Sequence, residues 1–324
     1  MITYRSFRNG DPPRLVKLWN AAATGRGTAR PIQVRDFDRL VLSKPYFDPK
    51  GVVVAEDDGR LVGFAHAGFG ANQQENRLNR EWGVIAVVVV AATHRRRGVG
   101  RELVRRAEDY LRGCGSTVIY AGPMRPLDPF YLGLYGGSEL PGILRSDTEA
   151  QSLVEALGYR AADECIVFQR SLSGPIALPA PQMKTWAHKV EFVVQQEPPA
   201  ANWWAACQFG AVDNSLFSLR LAATDQTIAK AHVWEMYPLQ KTWNVEAVGI
   251  VDVEVSDGFR GQGVATLLIT QIMRYCRELG LTLAEAQTMV RNNAACRLYR
   301  RLGFHEVDRG VAYRRNGEGS GTEE

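Results

Sequence analysis

The spacing of apolar and polar residues changes along the chain, and each change marks an element. Ile2–Arg8 reads as a strand, followed by a helix with Asp11 as N-cap and Pro12 in its first turn. A second helix is expected near Val34–Leu42. Val52–Glu56 and Arg60–Gly68 predict a hairpin turning at Asp58-Gly59. The longest apolar run, Val84–Ala92, falls far short of the ~20 residues that cross a bilayer. Its valines suit a strand buried on both faces. An amphipathic helix over Glu102–Arg112 follows. Beyond residue 190 the same order returns: a helical region near Ala200–Phe209, a hairpin of Leu216–Ala222 and Thr227–Glu235, a valine-rich strand, and an amphipathic helix over Thr266–Glu278.

The recurrence extends to individual residues. Val90-Ala-Ala-Thr-His-Arg95-Arg-Arg-Gly98-Val-Gly100 precedes Val255-Ser-Asp-Gly-Phe-Arg260-Gly-Gln-Gly263-Val-Ala265 by 255 − 90 = 165 positions. Downstream, Asp147-x-x-Ala150-x-x-Leu153-Val154-x-x-Leu157-Gly158-Tyr159 matches Asn292-x-x-Ala295-x-x-Leu298-Tyr299-x-x-Leu302-Gly303-Phe304. The two motifs stand 147 − 95 = 52 residues apart in the first half and 292 − 260 = 32 in the second. The first half therefore carries about 20 extra residues, placed most economically in Gly122–Arg145. That segment is rich in Gly, Pro and aromatic residues, and packing at a domain contact is favoured over a lid. Ser171–Met183, with three prolines, reads as the linker.

Composition refines this picture modestly. A chain of 324 residues fits two domains of ordinary size, and 45% hydrophobic with 23% charged residues excludes a largely disordered protein. The formal charge of +4 suits an anionic ligand but gives no basis for a nucleic-acid partner. Five scattered cysteines with no Cys-x-x-Cys pair point to reduced thiols in the cytoplasm and to no metal site. No signal segment or membrane span is seen, and the polar stretch 317–324 reads as a disordered tail.

A strand leading into Arg-x-x-Gly-x-Gly/Ala at a helix start is suited to a pyrophosphate. Glycines let backbone N–H groups approach the anion, the helix terminus adds free donors and a favourable dipole, and arginine adds charge. On these motifs both halves resemble the GNAT superfamily of acyl-CoA-dependent N-acetyltransferases. The tandem layout resembles mycothiol synthase-like, double-GNAT proteins. The resemblance implies an α/β (α+β) mixed-sheet fold in two tandem domains, residues 1–172 and 186–316, joined by a linker at 173–185. Acetyl-CoA would lie between a fourth and a fifth strand that splay apart, and an amine would attack the thioester directly. The implied contacts are Val253, Val255, Arg260, Gly261, Gln262, Gly263, Val264, Ala265 and Asn292 in the second half. In the first they are Val90, Arg95, Arg96, Arg97, Gly98, Val99 and Gly100. The N–H of Val255 would meet the oxyanion, and Tyr299 would assist the leaving thiolate.

The halves differ where chemistry is needed. Val154 occupies the place of Tyr299, and Val87 and Val89 occupy those of Asp252 and Glu254. Residues two apart share one face of a strand, so Asp252 and Glu254 form an acidic pair present in one copy only. The second half is therefore expected to be catalytic and the first degenerate. The acceptor is expected to be a small-molecule or peptide amine, and the two domains are expected to pair within one chain. Glu246 and Glu285 are further base candidates, and His66 and His232 are expected to be packed strand histidines. A non-catalytic acyl-CoA-binding or regulatory protein is the alternative, as is mycothiol synthase-like specificity.

Overall fold

The structure, a computed structural model, describes residues 1–176, 185–186 and 188–316. The expectations for the tail and for most of the linker fall outside those residues. The first half runs β1 (Ile2–Ser6), α1 (Pro12–Ala22), α2 (Val34–Phe37), β2 (Val52–Asp57), β3 (Arg60–Ala71), β4 (Leu78–Val90), α3 (Val99–Gly113), β5 (Val118–Ala121), β6 (Ile143–Leu144), α4 (Thr148–Ala156) and β7 (Arg160–Ser171). The second runs β8 (Val190–Gln196), α5 (Trp203–Phe209), β9 (Asn214–Leu221), β10 (Thr227–Glu235), α6 (Tyr237–Trp243), β11 (Ala247–Val255), α7 (Val264–Glu278), β12 (Leu283–Met289), α8 (Asn293–Arg301) and β13 (His305–Asn316).

Two local readings change. Asp11 precedes α1 but does not cap it with its side chain. Its carboxylate takes two hydrogen bonds from Arg5, at 2.7 Å each, and one from the Arg8 N–H. The bidentate guanidinium is the stronger partner for a carboxylate buried to 2% exposure. The helix expected over Val34–Leu42 is divided into α2 and a π-helical turn over Asp38–Leu42, which carries the adjacent Leu40 and Val41 both into the core.

One mixed sheet passes through both halves in the order β1-β2-β3-β4-β5-β13-β7-β12-β11-β10-β9-β8, with β6 paired to β13. The last strand of each half lies in the sheet of the other. β13 pairs antiparallel with β5, from Tyr313–Ala121 to Asn316–Val118, and β7 pairs antiparallel with β12, from Leu283–Ser171 to Met289–Cys165. β13 and β7 then pair with each other across the middle of the sheet.

In each half the fourth strand pairs in parallel with the fifth only at its start. β4 and β5 are in register from Trp82–Val118 to Ile85–Ala121, and β11 and β12 from Ala247–Leu283 to Ile250–Ala286. Beyond those pairs the strands diverge and leave a cleft. A bulge sits at each opening: the ladder shifts by one residue at Ala86 of β4 and at Asp252–Val253 of β11.

Among the described residues three large cores hold the sheet, beside a small cluster of Met124, Cys165 and Ala312. α3 packs Leu103, Ala107 and Leu111 on one face of the first half, and α7 packs Leu268, Ile272 and Met273 on the second. The third core joins the halves: Trp19, Phe37, Phe130, Tyr131 and Leu134 pack with Trp234, Met236 and Leu239. Phe130 and Tyr131 are nearly sealed at 2% and 1% exposure, so the aromatic part of the extra segment is a packed interface. Leu172 and Ile176 pack into the second-half core, so the first residues of the expected linker are anchored there.

Candidate active site

The two Arg/Gly loops are built alike. Arg260 Nε donates to the Val255 carbonyl at 3.0 Å, and Arg95 Nε donates to the Val90 carbonyl at 3.1 Å. Gly263 and Gly98 each hold a left-handed conformation, φ +84° and +82°, as the N-caps of α7 and α3. That conformation suits glycine, and it turns the free N–H groups of the next helical turn toward the cleft. Asn292 caps α8 by accepting from the Ala295 N–H, as Asp147 caps α4 by accepting from Ala150. The side-chain oxygen of Asn292 is thereby committed to the helix.

The copies then diverge. Arg95 donates to Glu149 at 2.6 Å and to the Ala22 carbonyl at 2.8 Å, so its guanidinium is occupied within the first half. Arg260 pairs with Asp257, and 70% of its side chain remains exposed. Arg96 holds φ +59° where the second half has Gly261 at +74°; a left-handed arginine costs about 1–2 kcal/mol that glycine does not.

The second-half cleft has a volume of about 1380 Å³, against about 720 Å³ in the first. Its walls bring together Val253, Val255, Arg260, Gly261, Gly263–Ala265, Asn292, Tyr299, Asp252 and Glu254. Gln262 turns away, its side chain donating to the Gly258 carbonyl. The first-half cleft is lined by Val90, Arg95, Arg96, Gly98 and Gly100, with Val154 on its wall.

Tyr299 is 4% exposed, packs on Phe168 and Phe304, and finds no hydrogen-bond partner for its hydroxyl among the described residues. Burial first, and then the charge of Glu139, hold its phenol well above the usual tyrosine range, so it carries its proton at neutral pH. At the opposite strand Asp252 has φ +51°, and its carboxylate pairs with Arg125. Glu254 is 62% exposed and pairs with Lys230 at 3.1 Å. The bulge interrupts the two-residue period on which their shared face was expected, although both reach the cleft wall. Val255 is paired in register with Ala229, while Asp252 and Val253 fall between ladder pairs.

The other candidates have structural places. Glu246 and Glu81 are exposed, and their carbonyls accept from Thr282 and Thr117 in matching positions. Glu285 is fully buried and saturated: Ser138 N–H and Gln169 Nε2 donate at 2.7 Å, and Gln287 Nε2 at 3.2 Å. His66 is 1% exposed, stacks on Phe130 and meets the Tyr131 hydroxyl at 3.0 Å. Burial lowers its pKa to about 3, which removes it as a base at neutral pH. Burial also lowers that of His232, half-buried beside Phe209.

Sequence reasoning missed the groups that the extra segment brings across. Met124, Arg125, Asp128, Glu139 and Leu140 belong to the first half but line the second-half cleft. Burial raises Asp128 to about 6, against the opposing pull of Arg125. Burial and then Asp252 raise Glu139 to about 8. The segment is fixed in place by glycine: Gly137 has φ +138°, and a Cβ there would lie 1.8 Å from Glu285 Oε1. The sole sequence signal for this wall was the length excess of the first copy. Five of the six arginines of the cleft lie on the loop (Arg260), just before α8 (Arg291) or on α8 (Arg297, Arg300, Arg301), while the sixth, Arg125, pairs with Asp252, and all four carboxylates come from the extra segment and β11. That division suits a ligand with phosphates beside an acceptor with a positive charge.

Among the described residues no cluster of three His, Cys, Asp or Glu side chains is placed to hold a metal, and no helix is long and apolar enough to cross a membrane. Solved structures show the same architecture. A tandem GNAT protein from the clavulanic acid biosynthesis pathway aligns over 100% of both chains, with a TM-score of 0.69 and 18% identity. A GCN5-related N-acetyltransferase from Sphaerobacter thermophilus aligns over 97% of this chain and 95% of its own, with a TM-score of 0.65 and 17% identity. An uncharacterised N-acetyltransferase of Methanocaldococcus jannaschii is 36% identical over 63 residues, which span 19% of this chain and 28% of the relative. The model of the acetyltransferase (GNAT) family matches twice, over residues 15–134 and 181–304. The chain, with two such domains in tandem, belongs to that family.

Proposed function

We propose that the protein transfers an acetyl group from acetyl-CoA to a primary amine, with the chemistry in the second half, residues 186–316. One observation carries the reading: Tyr299 and the Arg260–Ala265 loop line a single cleft, whereas the duplicate cleft has Val154 and an occupied Arg95. The loop and the α7 terminus hold the pyrophosphate of the acyl donor. The unpaired edge of β11 beyond Ile250 presents backbone donors to the rest of it, and the bulged Asp252–Val253 segment offers the oxyanion donor in preference to Val255. Tyr299 gives a hydrogen bond or a proton to the leaving thiolate; since its phenol is held above the ~10 of a free tyrosine, and so further above a thiol of ~8.5, the hydrogen bond is the larger part. Residues 1–172 shape the acceptor side of the cleft. Five unbonded cysteines favour a reducing compartment, the cytoplasm.

The test is release of CoA thiol from acetyl-CoA with a panel of primary amines, together with a calorimetric titration that counts acetyl-CoA sites. Turnover with acetyl-CoA on the second-half loop is expected. Binding without turnover across the panel would instead favour the non-catalytic reading. Binding confined to the Arg95–Gly100 loop would end the assignment of catalysis to the second half.

A further inference from the structure

We propose that the general base of the second-half site is Glu139, supplied by the first half, and this rests on the acetyltransferase reading of the cleft. Four carboxylates line that cleft: Asp128, Glu139, Asp252 and Glu254. Glu254 is turned to Lys230 and to solvent, and Asp252 is held by Arg125. Asp128 keeps Oδ1 sealed from solvent with no partner. Glu139 is half-buried, its carboxylate has no hydrogen bond or ion pair among the described residues, and its charge bears on the Tyr299 phenol. It is the free carboxylate on the wall that the proton donor also occupies.

Its placement is rigid. Gln287 Nε2 donates to the Glu139 carbonyl at 3.1 Å. The preceding residue, Ser138, donates its N–H to Glu285 at 2.7 Å and accepts at its carbonyl from Trp234 Nε1 at 3.0 Å. Three second-half side chains thus clamp the backbone that carries the base, and buried Glu285 is a positioning residue. The groups facing Glu139 are Arg125 and Asp128 from its own segment, Asp252 of β11, Glu285 of β12, Cys165 of β7 and Tyr299 of α8. Burial and the carboxylates outweigh Arg125 and leave a carboxyl that titrates near working pH, where a base is most effective.

In the step, an alkylammonium gives one proton to the Glu139 carboxylate. The freed nitrogen lone pair forms the C–N bond at the thioester carbon, and the C–S bond breaks as the carbonyl re-forms. The sulfur takes a proton from Tyr299, the new amide nitrogen loses its second proton to restore the phenol, and Glu139 returns its own to solvent. The sum is one amide, one thiol and one released proton.

Glu139→Gln tests this with the best alkyl primary amine from the panel. Near pH 7.5 kcat/KM should fall about 10²-fold or more, as loss of a positioned base predicts. The limb near pH 8 should vanish, and the gap should close as pH approaches the amine's own pKa. Acetyl-CoA affinity should stay at the wild-type value, and Glu139→Asp, which keeps the carboxylate, should keep the limb. A readout free of turnover is urea unfolding across pH 6–9. Because the folded pKa is raised, the wild type should lose stability relative to Glu139→Gln as pH rises through about 8. A wild-type pH profile in Glu139→Gln, within ~3-fold in rate, overturns the assignment of the base while leaving the transferase reading intact. No turnover by the wild-type protein with any amine overturns the transferase reading itself.

Discussion

Tyr299 and Val154 sit at the same depth of equivalent helices, 4% exposed each, behind equivalent Asn292 and Asp147 caps. One hydroxyl separates a wall that can give a proton from one that cannot. Tyr299→Phe keeps the ring packing against Phe168 and Phe304 and removes that hydroxyl alone. Turnover is expected to drop about 10²-fold. Since the hydroxyl has no partner among the described residues, fold stability should be nearly unchanged. Steady-state kinetics beside a urea titration checks both, and equal rates for the two proteins would remove Tyr299 from the chemistry.

Among the elements, the loop before α7 does the most with the least sequence. Its use depends on left-handed glycines, and nothing lies within 4 Å of a Cβ added at Gly263. The cost of Gly263→Ala is therefore conformational, about 1–2 kcal/mol, and it falls at the loop proposed to hold the anion. A calorimetric titration should show acetyl-CoA binding about 10-fold more weakly, since 1.4 kcal/mol is one decade. Gly98→Ala should leave that titration unchanged. These loops were legible in the sequence because strand, turn and helix start are contiguous and occur twice. The acidic pair was legible as composition but not as geometry, since a bulge cannot be seen in the residues around Asp252. Glu139 was not legible at all: it lies 299 − 139 = 160 positions from Tyr299, and only packing against Trp234, Gln287 and Glu285 brings it to the cleft.

At the scale of the molecule, the duplication is an exchange of strands and not two beads on a string. β5 and β7 of the first half each lose a neighbour if β13 is absent. Residues 1–172 expressed alone should aggregate or unfold, because β5 is left with one open edge and β7, which pairs only with β13 and β12, with both. The full chain cut at a protease site placed between residues 176 and 185 should still elute as one particle. A monodisperse fragment 1–172 with a cooperative melt would contradict the exchange.

The exchange also fixes an order of events during synthesis. Tyr313 pairs with Ala121, so 313 − 121 = 192 residues separate β5 from the strand that covers its edge. At roughly 5–20 residues per second, a ribosome needs about 10–40 s to supply it. β12, by contrast, finds β7 already made when it emerges. The half translated first is completed last, and until then the β5 edge from Val118 to Ala121 stands without the strand that pairs with it in the finished protein.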